Sequence, residues 1–403
     1  MIRVSAPVVT SVDGPSAGWR VTVRYSPTPG DPGEELWFEG AGGLDDVDPT
    51  GTPWAVALAP LAFHTGRGLR LDAPVDDRVA KGIASVTEIW SRWYGGRGAV
   101  DVDAPPLARA TDAPIGSGTD ERRAAFFSGG VDSLWTALAH RDRAGALRDL
   151  VTVHGFDIPL SEGPAFERMI DRFTPWAASW GARVVPIRTN YREAATGRVP
   201  WGEVAHGSAL IAAGLVLAPR YDRLLIAATG GERDPHPWGS HVETDAHLGS
   251  SRTRVEHHGA DATRWQKVRR IAEDEDALSI LRVCWRSGTD LNCGRCSKCL
   301  RTMALLDLWG ALERAPTFPD YVSLEELTRV HVAESWDVRE FSDLEQQGMA
   351  QGRPDLARAA RRAMLRTQRR ERALSAAAFF SRTPGLRTVS RLLQARVRAG
   401  WIA

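Results

Sequence analysis

From residue 123 onward the chain alternates short apolar strands with helical stretches, and this alternation limits what it can fold into. Residues 123–127, 150–154, 183–188 and 223–228 read as strands, and 134–140, 165–180 and 204–217 read as the helices between them. Strands separated regularly by helices predict an α/β fold, a parallel sheet with helices on both faces. Further on, 263–272 and 300–312 are expected to be helical and 278–283 extended. Everything after about residue 315 is expected to be helical, with breaks at Pro354 and Pro384. Before residue 123 the pattern differs. Residues 3–9, 19–25 and 35–38 read as strands between Pro, Gly and Asp turns, and a helix is expected at 79–93. The Pro/Gly/Ser/Thr/Asp-rich stretch 103–120 reads as a linker. Three parts follow: a β-rich N-terminal accessory domain at 1–118, an α/β domain at 119–315 and a helical C-terminal extension at 316–403.

A chain of 403 residues, 43% apolar and 25% charged, has room for more than one domain and a sizeable core. The longest apolar run, 209–218, is about half of what a membrane-spanning helix needs, so no membrane span is expected. The first residues show no basic region followed by an apolar stretch, and a cytoplasmic location is the expectation. Net charge is only +1, but residues 351–403 hold 13 Arg against Asp355 and Glu371, leaving −10 for residues 1–350. Such a tail either docks on acidic surface or meets a polyanion. Only Lys81, Lys267 and Lys298 are lysines, which makes each of them worth following.

The segment Ser128-Gly129-Gly130-Val131-Asp132-Ser133 places two glycines and two hydroxyls where the first strand of the alternation turns into its helix. Glycines let backbone N–H groups approach an oxyanion, and the start of the helix favours negative charge there. Ser128 and Ser133 add hydroxyl donors. Asp132 would repel phosphate unless a cation intervenes, which points to Mg²⁺ between carboxylate and phosphates. No Gly-Lys-Ser/Thr follows, so the turn is not a Walker loop. The competing account is a serine cap on a helix that binds nothing.

All four cysteines, Cys284, Cys293, Cys296 and Cys299, fall within 16 residues in the pattern C-x8-C-x2-C-x2-C. Four thiolates so close fit a closed tetrahedral Zn²⁺ site of the structural kind, with an iron–sulfur cluster as the alternative. Gly294 and the neighbouring Asn292, Arg295 and Lys298 supply the tight turn and positive charge that such a knuckle needs.

The loop resembles the Ser-Gly-Gly-x-Asp-Ser signature of the PP-loop ATP pyrophosphatases, which cleave ATP between the α- and β-phosphates. With the cysteine spacing added, residues 121–312 resemble the 7-cyano-7-deazaguanine synthases of that superfamily. Val199-Pro200 before an apolar helix, Ile226 to Gly230 ending a strand, and Leu281-Arg282-Val283-Cys284 before the knuckle fall at matching places. Where that family has Gly-Arg-Asn this chain has Trp201-Gly202-Glu203, and its Asp-rich stretch is replaced by Glu232-Arg233-Asp234-Pro235-His236-Pro237-Trp238.

The resemblance implies a PP-loop fold with ATP, Mg²⁺ and Zn²⁺, and a ligase that activates a carboxylate or carbonyl oxygen as an adenylate for attack by a nitrogen nucleophile. It implies ATP binding by Ser128, Gly129, Gly130, Val131, Asp132 and Ser133, with His154 and Gly155 at the end of the second strand, and substrate contact by Glu232 and Asp234. Arg264 and Lys267, one helical turn apart, are expected to steady phosphate charge, the alternative being a solvated basic face. The histidines of 236–258 read as a substrate loop or a second metal site. The expected partners are a small carboxylate with ammonia or an amine, with a protein or tRNA acceptor and a homodimer also open. A tRNA-modifying enzyme of the same superfamily would need a catalytic cysteine pair beyond the four that the knuckle uses. A nucleotide-binding scaffold is the reading without catalysis.

Overall fold

The structure is a computed structural model that describes residues 1–12, 17–28, 30, 33–96, 98–107, 121–141, 147–229, 236–286, 290–332 and 334–382. It divides into two compact units, Met1–Thr263 with Ser287–Asp290, and Arg264–Arg286 with Leu291–Ala403.

The first unit opens with β1 (Ile2–Val4), β2 (Val8–Val12), β3 (Gly18–Tyr25), β4 (Glu34–Ala41), α1 (Thr52–Thr65), β5 (Leu69–Leu71), α2 (Asp77–Tyr94) and β6 (Val102–Asp103). It continues with β7 (Arg123–Phe126), α3 (Val131–Arg141), β8 (Asp149–His154), α4 (Gly163–Ala178), β9 (Arg183–Thr189), α5 (His206–Val216), β10 (Arg223–Ala227) and β11 (Arg254–His258). One sheet of eleven strands holds them in the order β11-β10-β7-β8-β9-β4-β3-β1-β5-β6, with β2 also paired to β3. The five strands from β11 to β9 are parallel, as the alternation predicts. The chain runs outward through β7, β8 and β9, then returns to the other side of β7 for β10 and β11. The order therefore reverses at β7, and ligands of open α/β sheets bind at such a reversal, outside the carboxyl ends of the strands.

Successive residues of β7 and the loop after it face opposite sides. Phe126 joins the core shared with α1 and α5, whereas the Phe127 ring packs on Phe173 and Trp176 of α4, centroids 4.9 and 5.4 Å away. Helices thus cover both faces.

The structure divides the chain elsewhere than the linker composition suggests. Strands β1 to β6 extend the same sheet: β4 pairs antiparallel with β9, Phe38 opposite Thr189 and Gly40 opposite Ile187. Asn190 closes the join, donating to the Glu35 carbonyl at 2.8 Å and accepting the Trp37 N–H at 3.0 Å. An open edge at β9 would leave backbone groups unpaired, and β4 satisfies them. Residues 1–118 are accordingly part of the first unit, and their strands continue the parallel sheet into a mixed one. The expected strand 3–9 is two strands broken around Pro7. Helix α1 was not expected at all; its residues Thr52 to Phe63 are all buried.

The second unit comprises α6 (Arg264–Ala272), α7 (Glu275–Ile280), α8 (Ser297–Leu308), α9 (Leu324–Arg329), α10 (Ser335–Ala350) and α11 (Pro354–Arg382). Of the stretch 278–283 expected to be extended, residues 278–280 instead end the helix α7, because Asp274 caps it by accepting the Ala277 N–H at 2.9 Å and acids fill its first turn. Pro354 starts α11 after a break, as expected. Pro384 lies outside the described residues. No described helix is long and apolar enough to cross a membrane.

Candidate functional site

Strand β7 is flanked on both sides and delivers Ser128, Gly129 and Gly130 to the point where the sheet order reverses. Gly129 has φ +71°, a left-handed conformation that side chains disfavour, so the turn depends on glycine there. Ser133, in the first turn of α3, closes the loop: its Oγ accepts the Ser128 N–H at 3.3 Å and donates to the Gly130 carbonyl at 3.1 Å. Ser128 Oγ, 3.5 Å from Ser133 Oγ, accepts the Gly130 N–H at 3.4 Å. Leu134 N–H bonds the Gly130 carbonyl at 2.9 Å, so the helix ladder begins at the loop and its first N–H groups point out of the ladder toward it. Asp132, half-buried in that first turn, is the carboxylate nearest the glycines in sequence. A compact turn with hydroxyls, outward N–H groups and a helix start can hold an oxyanion.

His154 and Gly155 sit at the carboxyl end of β8, next to β7. His154 Nε2 donates to the Pro159 carbonyl at 2.9 Å and its ring stacks on Phe166, centroids 4.4 Å apart. Burial lowers its pKa, keeping the ring neutral. It lines a cavity of about 420 Å³ on the α4 side together with Glu39, Phe166 and Arg188. A Cβ on Gly155 would lie 2.0 Å from the Thr189 carbonyl oxygen, so this glycine is required by close packing. Glu232 and Asp234 lie outside the described residues.

The histidine-bearing segment 236–258 is the part the sequence left least defined. Its last residues form β11, whose side chains alternate. His258 points toward α3, Nδ1 3.1 Å from Thr136 Oγ1 and Nε2 3.1 Å from His140 Nε2. His257 meets Asp245, Nδ1 to Oδ2 at 2.8 Å. Asp245 is 1% exposed and also accepts from Ser240 Oγ at 2.6 Å, the His241 N–H at 3.0 Å and Thr244 Oγ1 at 3.3 Å. Sequence reasoning named His257 but missed Asp245, because the pairing depends on a strand hidden in Arg254-Val255-Glu256-His257-His258, where polar residues mask the strand pattern.

Arg264 and Lys267 belong to the second unit and are buried in α6, so the solvated-face alternative does not hold. Arg264 Nε lies 3.5 Å from Glu340, within a network in which Arg301 pairs with Asp337 and with Glu340 at 2.7 Å. Burial pushes the Asp337 carboxyl up to about 6 despite Arg301.

The four cysteines meet in the second unit, their sulfurs all within 4.8 Å of one another. Cys293 and Cys299 sulfurs are 3.8 Å apart, the edge of a tetrahedron around an ion with metal–sulfur bonds of about 2.3 Å. Backbone N–H groups of Arg295 and Cys296 point to Cys293 Sγ at 3.5 and 3.4 Å, and that of Cys299 to Cys296 Sγ at 3.4 Å, as suits negative sulfur. Hydrogen bonds from Cys296 and Cys299 hold the Cys284 thiol well below the usual range, and the Cys296 thiol is pushed up to about 11 chiefly by the same contact. Thiols that share protons in this way are the set a cation replaces. Asn292 ties the knuckle to the segment carrying Cys284, accepting N–H groups of Val283 and Cys284 at 2.8 and 3.1 Å and donating to the Leu281 carbonyl at 2.9 Å. Gly294, φ +68°, forms the turn.

No protein-family model, no curated protein and no solved structure matches this chain.

Proposed function

We propose that the protein is an ATP-dependent ligase of the PP-loop pyrophosphatase type, related in chemistry to the 7-cyano-7-deazaguanine synthases. One observation carries this reading: a Ser-Gly-Gly-x-Asp-Ser turn, closed by Ser133, at the reversal point of a doubly wound parallel sheet. In this reading a carboxylate oxygen attacks the α-phosphorus of ATP, and the bond to the β-phosphate breaks. Pyrophosphate leaves into the turn, where the start of α3 and the hydroxyls of Ser128 and Ser133 offset its charge. Asp132 would hold Mg²⁺, which when bound neutralises phosphate charge. The acyl-adenylate then carries a good leaving group, AMP, and a nitrogen nucleophile displaces it. Cys284, Cys293, Cys296 and Cys299 would hold Zn²⁺ in a closed structural site.

A polyanionic acceptor such as tRNA is the second reading, favoured by α11, where Arg358, Arg362, Arg369 and Arg372 are exposed at spacings of four, seven and three residues along one side. The test is the product of ATP turnover. Purified protein with ATP, Mg²⁺ and either a small-molecule cell extract with ammonium or bulk tRNA should release AMP and pyrophosphate, and Ser128→Ala should abolish it. The fraction that stimulates turnover separates the two acceptors, and Arg264→Ala and Lys267→Ala in the same assay test their expected roles. ADP as product would contradict both readings.

A further inference from the structure

The pair formed by Asp245 and His257 has the organisation of a base held by a carboxylate. Asp245 accepts from the Ser240 hydroxyl and the His241 N–H, and its remaining contact is with His257 Nδ1, which places the proton of that contact on Nδ1. Nε2 is then the ring nitrogen that Asp245 leaves unengaged. It makes no hydrogen bond among the described residues. The His257 side chain is 9% exposed, so the ring is not sealed from solvent.

Three contacts fix the segment that carries this pair. A Cβ on Gly82 of α2 would lie 1.8 Å from the His247 carbonyl oxygen, and one on Gly207 of α5 would lie 2.1 Å from the Gly239 carbonyl oxygen. Asp76, which caps α2, also accepts the Ser251 N–H at 3.0 Å and its hydroxyl. The segment is pressed against two helices more closely than any side chain would allow. Beside the pair, His241 accepts the Glu243 N–H on Nδ1 at 3.1 Å, so its Nε2 carries the proton of the neutral ring. That N–H is buried and has no acceptor among the described residues. A buried donor without an acceptor matches a ligand that brings one.

The location fits as well. His257 pairs with Ile226 in β10, and Leu225 pairs with Ala125 in β7, so His257 stands level with Phe126, two residues before Ser128. Two strand spacings of about 4.8 Å put β11 about 10 Å from β7 at the same edge of the sheet.

We propose that His257 is the general base of the amide-forming step, with Asp245 as its positioning residue and the His241 N–H as a donor to the substrate. The inference rests on the adenylating reading above. The nucleophile's nitrogen forms a bond to the acyl carbon while the bond from that carbon to the AMP oxygen breaks. The electron pair leaves with AMP, and one proton passes from nitrogen to His257 Nε2, to be released to water.

The test uses the full chain with ATP, Mg²⁺, ¹⁵N-ammonium and a small-molecule cell extract. It follows both exchange of labelled pyrophosphate into ATP and ¹⁵N incorporation into product. His257→Ala should slow incorporation about 100-fold or more, with exchange kept within about twofold and incorporation partly restored by free imidazole. His257→Asn, which can still donate to Asp245, should show the same loss and guards against misfolding. Nitrogen–proton correlation spectra of ¹⁵N-histidine-labelled protein should show His257 protonated on Nδ1 and altered by Asp245→Asn. Incorporation at the wild-type rate in both His257 variants with exchange intact, or a proton on Nε2, would overturn the base and leave the adenylating reading standing. Absence of exchange in the wild type would remove that reading and the base with it.

Discussion

Ser133 holds Ser128 in place: its Oγ accepts the Ser128 N–H at 3.3 Å while donating to the Gly130 carbonyl at 3.1 Å. One hydroxyl thus sets the shape of a turn whose glycines have no side chains to hold it. Ser133→Ala removes both bonds and one donor to phosphate. At about 1 kcal/mol for each net hydrogen bond, ATP should bind about tenfold or more weakly. Isothermal titration checks this, with thermal unfolding changed by only a few degrees.

Gly294 has φ +68°, and a Cβ there would lie 2.6 Å from Pro319 Cγ. Gly294→Ala should strain the cysteine knuckle by about 1–3 kcal/mol, seen as a lower unfolding midpoint. Metal analysis should find one zinc per chain in the wild type and less than a tenth of that in Cys293→Ser or Cys299→Ser. A visible absorption band with iron in place of zinc would favour the iron–sulfur alternative.

The parallel core and the cysteine site were legible because each depends on local pattern: apolar strands before helices, and a fixed spacing of thiols. Helix α1 was not legible, since Thr52 to Phe63 are buried all round and show no polar face to set a helical period. Residues 278–280, the start of the stretch 278–283 expected to be extended, are helical because the Asp274 cap lies upstream of the apolar run that suggested a strand. The joining of β4 to β9 and the meeting of Asp245 with His257 are long-range events that no local pattern encodes. The turn between β7 and α3 was legible for the opposite reason: loop and helix start are neighbours in sequence.

Gly207 touches the segment bearing the Asp245–His257 pair and has no part in the Ser128–Ser133 turn. Gly207→Ala must push the Gly239 carbonyl aside, because 2.1 Å cannot accommodate a methyl group. Product formation should fall about tenfold or more, whereas ATP affinity in the same titration should stay within about twofold. Equal loss of both would show that the two sites are not separable.

Asp337, with its carboxyl at about 6 against 3.8 for the free group, favours the protonated form when folded. A raised folded pKa gives stability that is fully present below the unfolded pKa and is lost as pH rises through the folded one. Wild-type stability relative to Asp337→Asn should therefore decline between about pH 4 and 6 and be level above that, as read from denaturant unfolding at several pH values. A difference that instead grows as pH rises through about 4 would mean that Arg301 holds Asp337 ionised in the folded state.

The central claim is that the turn from Ser128 to Ser133 binds the pyrophosphate end of ATP during adenylation. Chromatography of labelled nucleotide after incubation with Mg²⁺ and a small-molecule cell extract tests it most directly. AMP with pyrophosphate should form, and both should be lost in Ser128→Ala and in Asp132→Ala. ADP with phosphate, or AMP release unchanged in both variants, would contradict it.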